Sequence, residues 1–320
     1  MSTALPQLKP ARLEPGDTVA LVSPGHAVFE RQPFTVARES LEALGLQVRE
    51  SPNLRARRGQ YAGTAQQRAD DLNAMFADDS VHGILAMNGG SGANHVLPLL
   101  DYAAIARKPK FFGGYSDMTS LINAVNRHTG LVTFHSPMGV SSWNRFNAEH
   151  WRRLVMDGEA LTLANPTDTG ELLAPRQHRI STLRGGRARG RIVGGNLAVL
   201  VSLAGSPYWP DFDGAVLVLE DINELIYRVD RMFTTLELSG ALGRVAAVVL
   251  GGFTNCTPGE GYGSLTLDEV FDDWLLPLGV PVFAGASFGH IGQQLTLPLG
   301  LPVEVDADAG TIRLLEPAVV

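Results

Sequence analysis

The chain has 320 residues, 45% of them hydrophobic and 18% charged, and a formal net charge of -7. That composition suits a globular protein of one large or two ordinary domains. The acidic balance, without a run of lysine or arginine, excludes a nucleic-acid footprint and an anionic membrane surface, which leaves a small molecule as the expected partner. The opening "MSTALPQLKPARLEPGD" has no basic segment followed by an apolar stretch and a cleavage site, so it does not read as a secretory signal. No apolar run approaches the ~18 residues of a membrane span. A single cysteine, Cys256, precludes an internal disulfide and a thiolate zinc site. The expectation is a soluble, cytoplasmic chain.

In chain order, "DTVALVS" (17–23) reads as a strand, and Phe34, Ala37, Leu41 and Leu44 then recur at helical spacing. Thr64 and Gln67 stand at capping-box spacing ahead of Leu72, Met75 and Phe76. "VHGILAM" (81–87) and "KFFGG" (110–114) are buried-strand runs, each followed by a helical pattern. Strands alternating with helices predict a mostly parallel α/β sheet covered on both faces, with ligands at the carboxyl ends of its strands. After about residue 160 a Gly-, Pro-, Thr- and Arg-rich stretch without a period predicts a linker. Beyond it, "GAVLVLED" (214–221), "VAAVVLGGF" (245–253), "VPVFAGASFGH" (280–290) and short alternating runs from Leu295 to Leu315 predict a smaller, strand-richer α/β domain. The expected division is 1–165, a linker at 166–188, and 189–320.

Three places carry candidate chemistry. Gly113-Gly114-Tyr115-Ser116-Asp117, between an apolar strand and a helical pattern with Leu121, Ile122 and Val125, has the layout of a nucleophile elbow. Met118 stands where the last glycine of G-x-S-x-G is expected, and the same layout also fits Ser116 or Asp117 as a plain helix cap. Of eight histidines, His290 follows an apolar run and a glycine at a strand end, where a base is wanted. Glu220 and Asp221 end another strand. They fit either a carboxylate that orients a histidine or favourable charges at a helix start, with Arg228, Asp230 and Arg231 as helix-surface residues.

A glycine turn, "MNGGSGANH" (87–95), offers backbone N–H groups to a phosphate or an oxyanion, or is simply a turn. It has neither P-loop nor dinucleotide spacing. Cys256 has no histidine or basic neighbour to favour its thiolate and reads as structural.

With these residues in view, the sequence resembles the LD-carboxypeptidase family of serine peptidases, which also contains the microcin C self-immunity hydrolases. The blocks that carry the resemblance include "YAGTAQQRADDLNAMFADDSVHGILAMNGGSG", "KPKFFGGYSDMTSL", "GGNLAVLVSLAGSPYWPDFDGAVLVLEDINELIYRVDRM" and "FGHIGQQLTLPLG". It implies Ser116 as nucleophile, His290 as general base and acid, Glu220 as the residue orienting His290, and an oxyanion hole from the backbone N–H groups of Gly90 and Asp117. It implies no metal or organic cofactor, a glutamine-amidotransferase-like amino-terminal domain, and a homodimer.

The implied reaction is hydrolysis of the amide between an L-centre, that of meso-diaminopimelate or lysine, and the terminal D-alanine of a murein tetrapeptide during peptidoglycan recycling. Many family members read R-G-G-Y-G in the glycine turn, where this chain has Asn88, Gly89, Gly90, Ser91 and Gly92. That departure, with Asn94, moves the chain toward the microcin hydrolases, whose substrates are aminoacyl nucleotides. Asn88, Asn94 and Arg228 are the candidate substrate-binding residues, and Trp143 is a candidate for stacking on a base or an ordinary packing residue.

Overall fold

The computed structural model describes residues 5–167, 178–259 and 263–320. The chain divides into two compact units. The first comprises residues 1–159, 296–300 and 317–320, and the second residues 160–295 and 301–316.

The first unit alternates strand and helix: β1 (Thr18–Val22), α1 (Gln32–Ala43), β2 (Gln47–Glu50), α2 (Ala65–Ala77), β3 (Gly83–Ala86), α3 (Tyr102–Arg107), β4 (Phe111–Gly113), α4 (Thr119–Thr129), β5 (Thr133–His135) and α5 (Arg145–Val155). Every residue of β3 and β4 is buried, as expected of central parallel strands covered by helices. The sheet order is β12-β5-β4-β3-β1-β2, where β12 (Leu297–Leu299) takes its label from its place late in the chain. All pairings are parallel except β12 with β5. α2 starts at the expected capping box: Thr64 Oγ1 accepts from the Gln67 N–H, and the Gln67 side chain accepts from the Thr64 N–H. Phe111 anchors the core, edge-on to Trp151 at 5.3 Å between centroids.

The second unit holds β6 (Thr162–Leu163), β7 (Ser181–Arg184), β8 (Arg187–Asn196), α6 (Leu197–Val201), β9 (Val216–Ile222), α7 (Ile226–Leu238), β10 (Ala247–Thr254), α8 (Leu267–Leu275), β11 (Val282–Ala284), β13 (Pro302–Asp306) and β14 (Thr311–Leu314). Its eight strands form one mixed sheet in the order β6-β14-β13-β8-β9-β10-β11-β7, with a parallel centre from β8 to β11. Leu217, Leu219, Val248 and Leu250 pack there with Phe233, Leu236 and Phe271. Part of the expected linker, residues 168–177, lies outside the described residues, and its described remainder contains β7 and the start of β8. No described helix is long and apolar enough to cross a membrane.

Candidate active site

Ser116 stands at the end of β4, where the chain turns through a short 3-10 segment (Ser116–Met118) into α4. Its φ of 62° puts a non-glycine residue in the left-handed region. That conformation costs on the order of 1 kcal/mol and is characteristic of a strained elbow that lifts a side chain off the sheet. The caps here are Tyr115 for the 3-10 segment and Met118 for α4, neither with a side-chain cap bond. Asp117 is buried and accepts from the Ala93 N–H at 2.8 Å, so it braces the glycine turn instead of capping α4.

The glycine turn lies directly against the serine. A Cβ on Gly89 would sit 2.8 Å from Ser116 Cβ, 3.0 Å from its Oγ and 3.3 Å from the Asp117 nitrogen, so only glycine fits there. Gly90 (φ 94°) and Gly92 (φ 96°) adopt left-handed conformations, and His26 Nε2 lies 2.8 Å from Ser91 Oγ. Beneath the turn, the buried Arg68 guanidinium donates to the carbonyls of Pro24, Gly92 and Thr64. Burial pulls Arg68 below its ordinary pKa while Asp117 opposes the shift. Burial likewise raises Asp117, opposed by the Ala93 N–H, His26 and Arg68.

The elbow's glycines and serine were legible as a motif, but Arg68 was not singled out. Its spacing held the signal, because residues 68, 72, 75 and 76 share one face of α2 and an arginine on an apolar face needs buried acceptors. Of the expected substrate residues in this unit, Asn88 is half-buried just before the turn, and Asn94 is half-buried in the 3-10 segment Ala93–Leu99. Trp143 donates its indole N–H to the Met138 carbonyl and packs edge-on against Trp151, as a packing residue does.

In the second unit, Glu220 on β9 is fully buried. Its Oε2 lies 2.7 Å from His290 Nδ1 and also accepts from the His290 backbone N–H at 3.2 Å. Gly289 (φ 96°) makes this approach possible: a Cβ there would stand 2.6 Å from Glu220 Oε2. With Nδ1–H held by the carboxylate, Nε2 is left as the proton acceptor. Asp221, next in the strand, turns away from the histidine. It accepts from Asn196 Nδ2 and the N–H groups of Ala198 and Ile222, and so holds the start of α6. Burial, reinforced by the neighbouring Glu220, pushes its pKa up to about 6. Arg228 is exposed on α7 and ion-paired with Glu224 at 2.7 Å, while Arg231 stacks over Tyr227. Burial raises the Cys256 thiol pKa, keeping it protonated near neutral pH.

Ser116, Gly90 and Asp117 thus belong to the first unit, and the Glu220–His290 pair belongs to the second. Comparison with known proteins identifies the family. The sequence pattern of the LD-carboxypeptidase N-terminal domain matches residues 19–136, and that of the C-terminal domain matches residues 189–305. The chain belongs to the LD-carboxypeptidase family. This is a family of serine peptidases, and among its members a probable murein peptide carboxypeptidase of Bacillus subtilis is 36% identical over 91% of this chain and 89% of its own. A solved structure of MccF in complex with glutamyl sulfamoyl guanosine superposes with a TM-score of 0.88 at 26% identity, covering 98% of this chain and all of that one. Muramoyltetrapeptide carboxypeptidase from Oxalobacter formigenes superposes with a TM-score of 0.78 at 27% identity, over 93% of this chain and 97% of its own. An α/β architecture with one parallel-rich sheet flanked by helices and one strand-rich sheet is thus common to this chain and its neighbours.

Proposed function

We propose that this protein hydrolyses the amide between the L-centre of a diamino acid and the terminal D-alanine of murein tetrapeptides, in cytoplasmic peptidoglycan recycling. The observation that carries the reading is the buried Glu220 carboxylate on His290 Nδ1, which fixes the tautomer that a general base requires. In this reading, the 1–165 domain supplies the nucleophile, the 189–320 domain supplies the acid and the histidine, and the enzyme works as a homodimer.

Ser116 Oγ attacks the scissile carbonyl while His290 Nε2 takes its proton. The tetrahedral oxyanion accepts hydrogen bonds from the backbone N–H groups of Asp117 and Gly90. His290 then returns the proton to the leaving amine, D-alanine departs, and water, activated by the same histidine, hydrolyses the acyl-enzyme. The residues held against Ser116 by Gly89 and Arg68 favour such a role, because an oxyanion donor works only when it is fixed before the charge develops.

D-alanine release from a diaminopimelate-containing tetrapeptide, followed for the wild type and for Ser116→Ala, tests the reading. Release by the wild type and a loss on the order of 10⁶ in the variant is expected. A wild type that releases none would sink it. The second reading is an aminoacyl-nucleotide amide hydrolase of the microcin C self-immunity type. It is favoured by the similarity to MccF and by Asn88 in place of the arginine common in the carboxypeptidases. Turnover of aspartyl sulfamoyl adenosine with no turnover of tetrapeptide would select it.

A further inference from the structure

Within the first unit, His26 grips the glycine turn at three successive residues. Its backbone N–H donates to the Gly89 carbonyl at 2.9 Å. Its imidazole occupies the place of the side chain that Gly90 lacks, where a Cβ would stand 2.1 Å from His26 Cγ and 2.4 Å from Nδ1. Its Nε2 lies 2.8 Å from Ser91 Oγ. The approach also needs a glycine on the gripping side, since a Cβ on Gly25 would stand 2.4 Å from the Gly89 carbonyl oxygen.

The gripping segment is itself anchored. The Gly25 carbonyl accepts from the Ala62 N–H at 3.1 Å, and the Ala27 N–H donates to the Gln60 carbonyl at 2.8 Å. The buried Arg68 guanidinium holds the Pro24 carbonyl. Tyr61 stands edge-on to His26, with ring centroids 6.2 Å apart, and fills the space beside Gly92, where a Cβ would lie 2.5 Å from its Cε1. His26 therefore presses on the turn from a fixed wall.

A peptide group is planar and trans, so the Gly89 carbonyl and the Gly90 N–H lie in one plane and point in opposite directions. Holding that carbonyl aims that N–H. The ring against Gly90 and the bond to Ser91 then restrict the rotations that glycine otherwise permits in either hand. We propose that His26 is a positioning residue, whose ring and bond to Ser91 keep the Gly90 N–H aimed at the oxyanion that forms on attack by Ser116. The inference rests on the reading of the Gly90 N–H as an oxyanion donor, which contributes most when it is aimed before the charge appears.

The test measures tetrapeptide turnover, and the rate at which a fluorophosphonate labels Ser116, for the wild type, Ser91→Ala, His26→Ala, His26→Gln and the Ser91→Ala/His26→Ala pair. The fluorophosphonate adduct also places an oxygen in the hole, so the second readout does not depend on which substrate is correct. His26→Ala keeps the backbone bond and loses the ring. Its kcat and labelling rate should fall about 10- to 100-fold with KM within about twofold, less than the loss on removing a donor outright. Ser91→Ala should lower both rates about 3- to 10-fold, the range of one neutral hydrogen bond, and add nothing to His26→Ala. His26→Gln, which can present an amide where Nε2 stands, should recover part of the loss. A merely structural role would lower Tm without this split between kcat and KM. Unchanged kcat and labelling in both single variants, or a loss confined to KM, overturns the proposal. If His26→Ala does not fold, Ser91→Ala, which alters only an exposed hydroxyl, decides by the same criterion. If the wild type is labelled but cleaves no tetrapeptide, the proposed substrate fails and the positioning role is judged on labelling alone. A wild type that is neither labelled nor active removes the hole, and both readings fall.

Discussion

Asp221 illustrates how a single buried carboxyl beside the candidate site can weaken the fold. Its carboxyl is 2% exposed and its pKa rises from 3.8 to about 6 because burial disfavours the charge. A folded-state pKa above the unfolded value means that the proton is bound more tightly in the native state. The associated stabilisation is full below about pH 3.8 and is lost as pH rises through about 6. The size follows from the shift, on the order of 3 kcal/mol. Denaturant unfolding at intervals from pH 3.5 to 7 should show this loss in the wild type. Asp221→Asn, which cannot ionise, should show a shallower pH slope over that interval even though it starts lower. Identical slopes would mean that Asp221 titrates normally. The neighbouring Glu220 reaches His290 at the same strand end, so stability is spent where the chemistry is assigned.

At the scale of elements, α2 depends on its first turn. Thr64→Ala removes one half of the capping box and should lower the unfolding free energy by about 1 kcal/mol, seen as a shifted urea midpoint with an unchanged slope. This start was legible in the sequence, as were β1, β3, β4 and β9, because short apolar runs and helical stripes are local signals. One element and one pairing were not. β8 reads "RARGRIVGGN", where arginines and glycines hide an exposed-to-buried strand that is held by partners on both sides. β12 lies within the short runs expected from Leu295 onward, but nothing near its "LPL" announces pairing with β5 some 160 residues earlier, in the first sheet. The run from residue 280 to 290 shortened to β11 because Gly285 and Gly289 take left-handed turns, which delivers His290 to Glu220. For the site, Ser116, Glu220 and His290 stood out as residue types at element ends. Arg68 did not, since its role depends on carbonyls from distant segments.

At the scale of the whole molecule, the last residues are part of the first unit. Val320 exchanges backbone hydrogen bonds with Pro10 and Arg12, and Ala318 and Val319 are buried. Removing Pro317–Val320 should therefore lower stability by about 2–3 kcal/mol through lost apolar burial and two lost hydrogen bonds. A thermal melt of the shortened chain, compared with the full one, checks this, and an unchanged Tm would contradict it. The return of β12 to the first sheet carries a further meaning for synthesis. The ribosome delivers residues 160–295 before it delivers Leu297–Leu299, so the sheet bearing Ser116 still lacks its edge strand while most of the second unit is already made. A nascent chain therefore completes the sheet that bears Ser116 only after most of the second unit has been made, although the other five strands of that sheet are translated earlier.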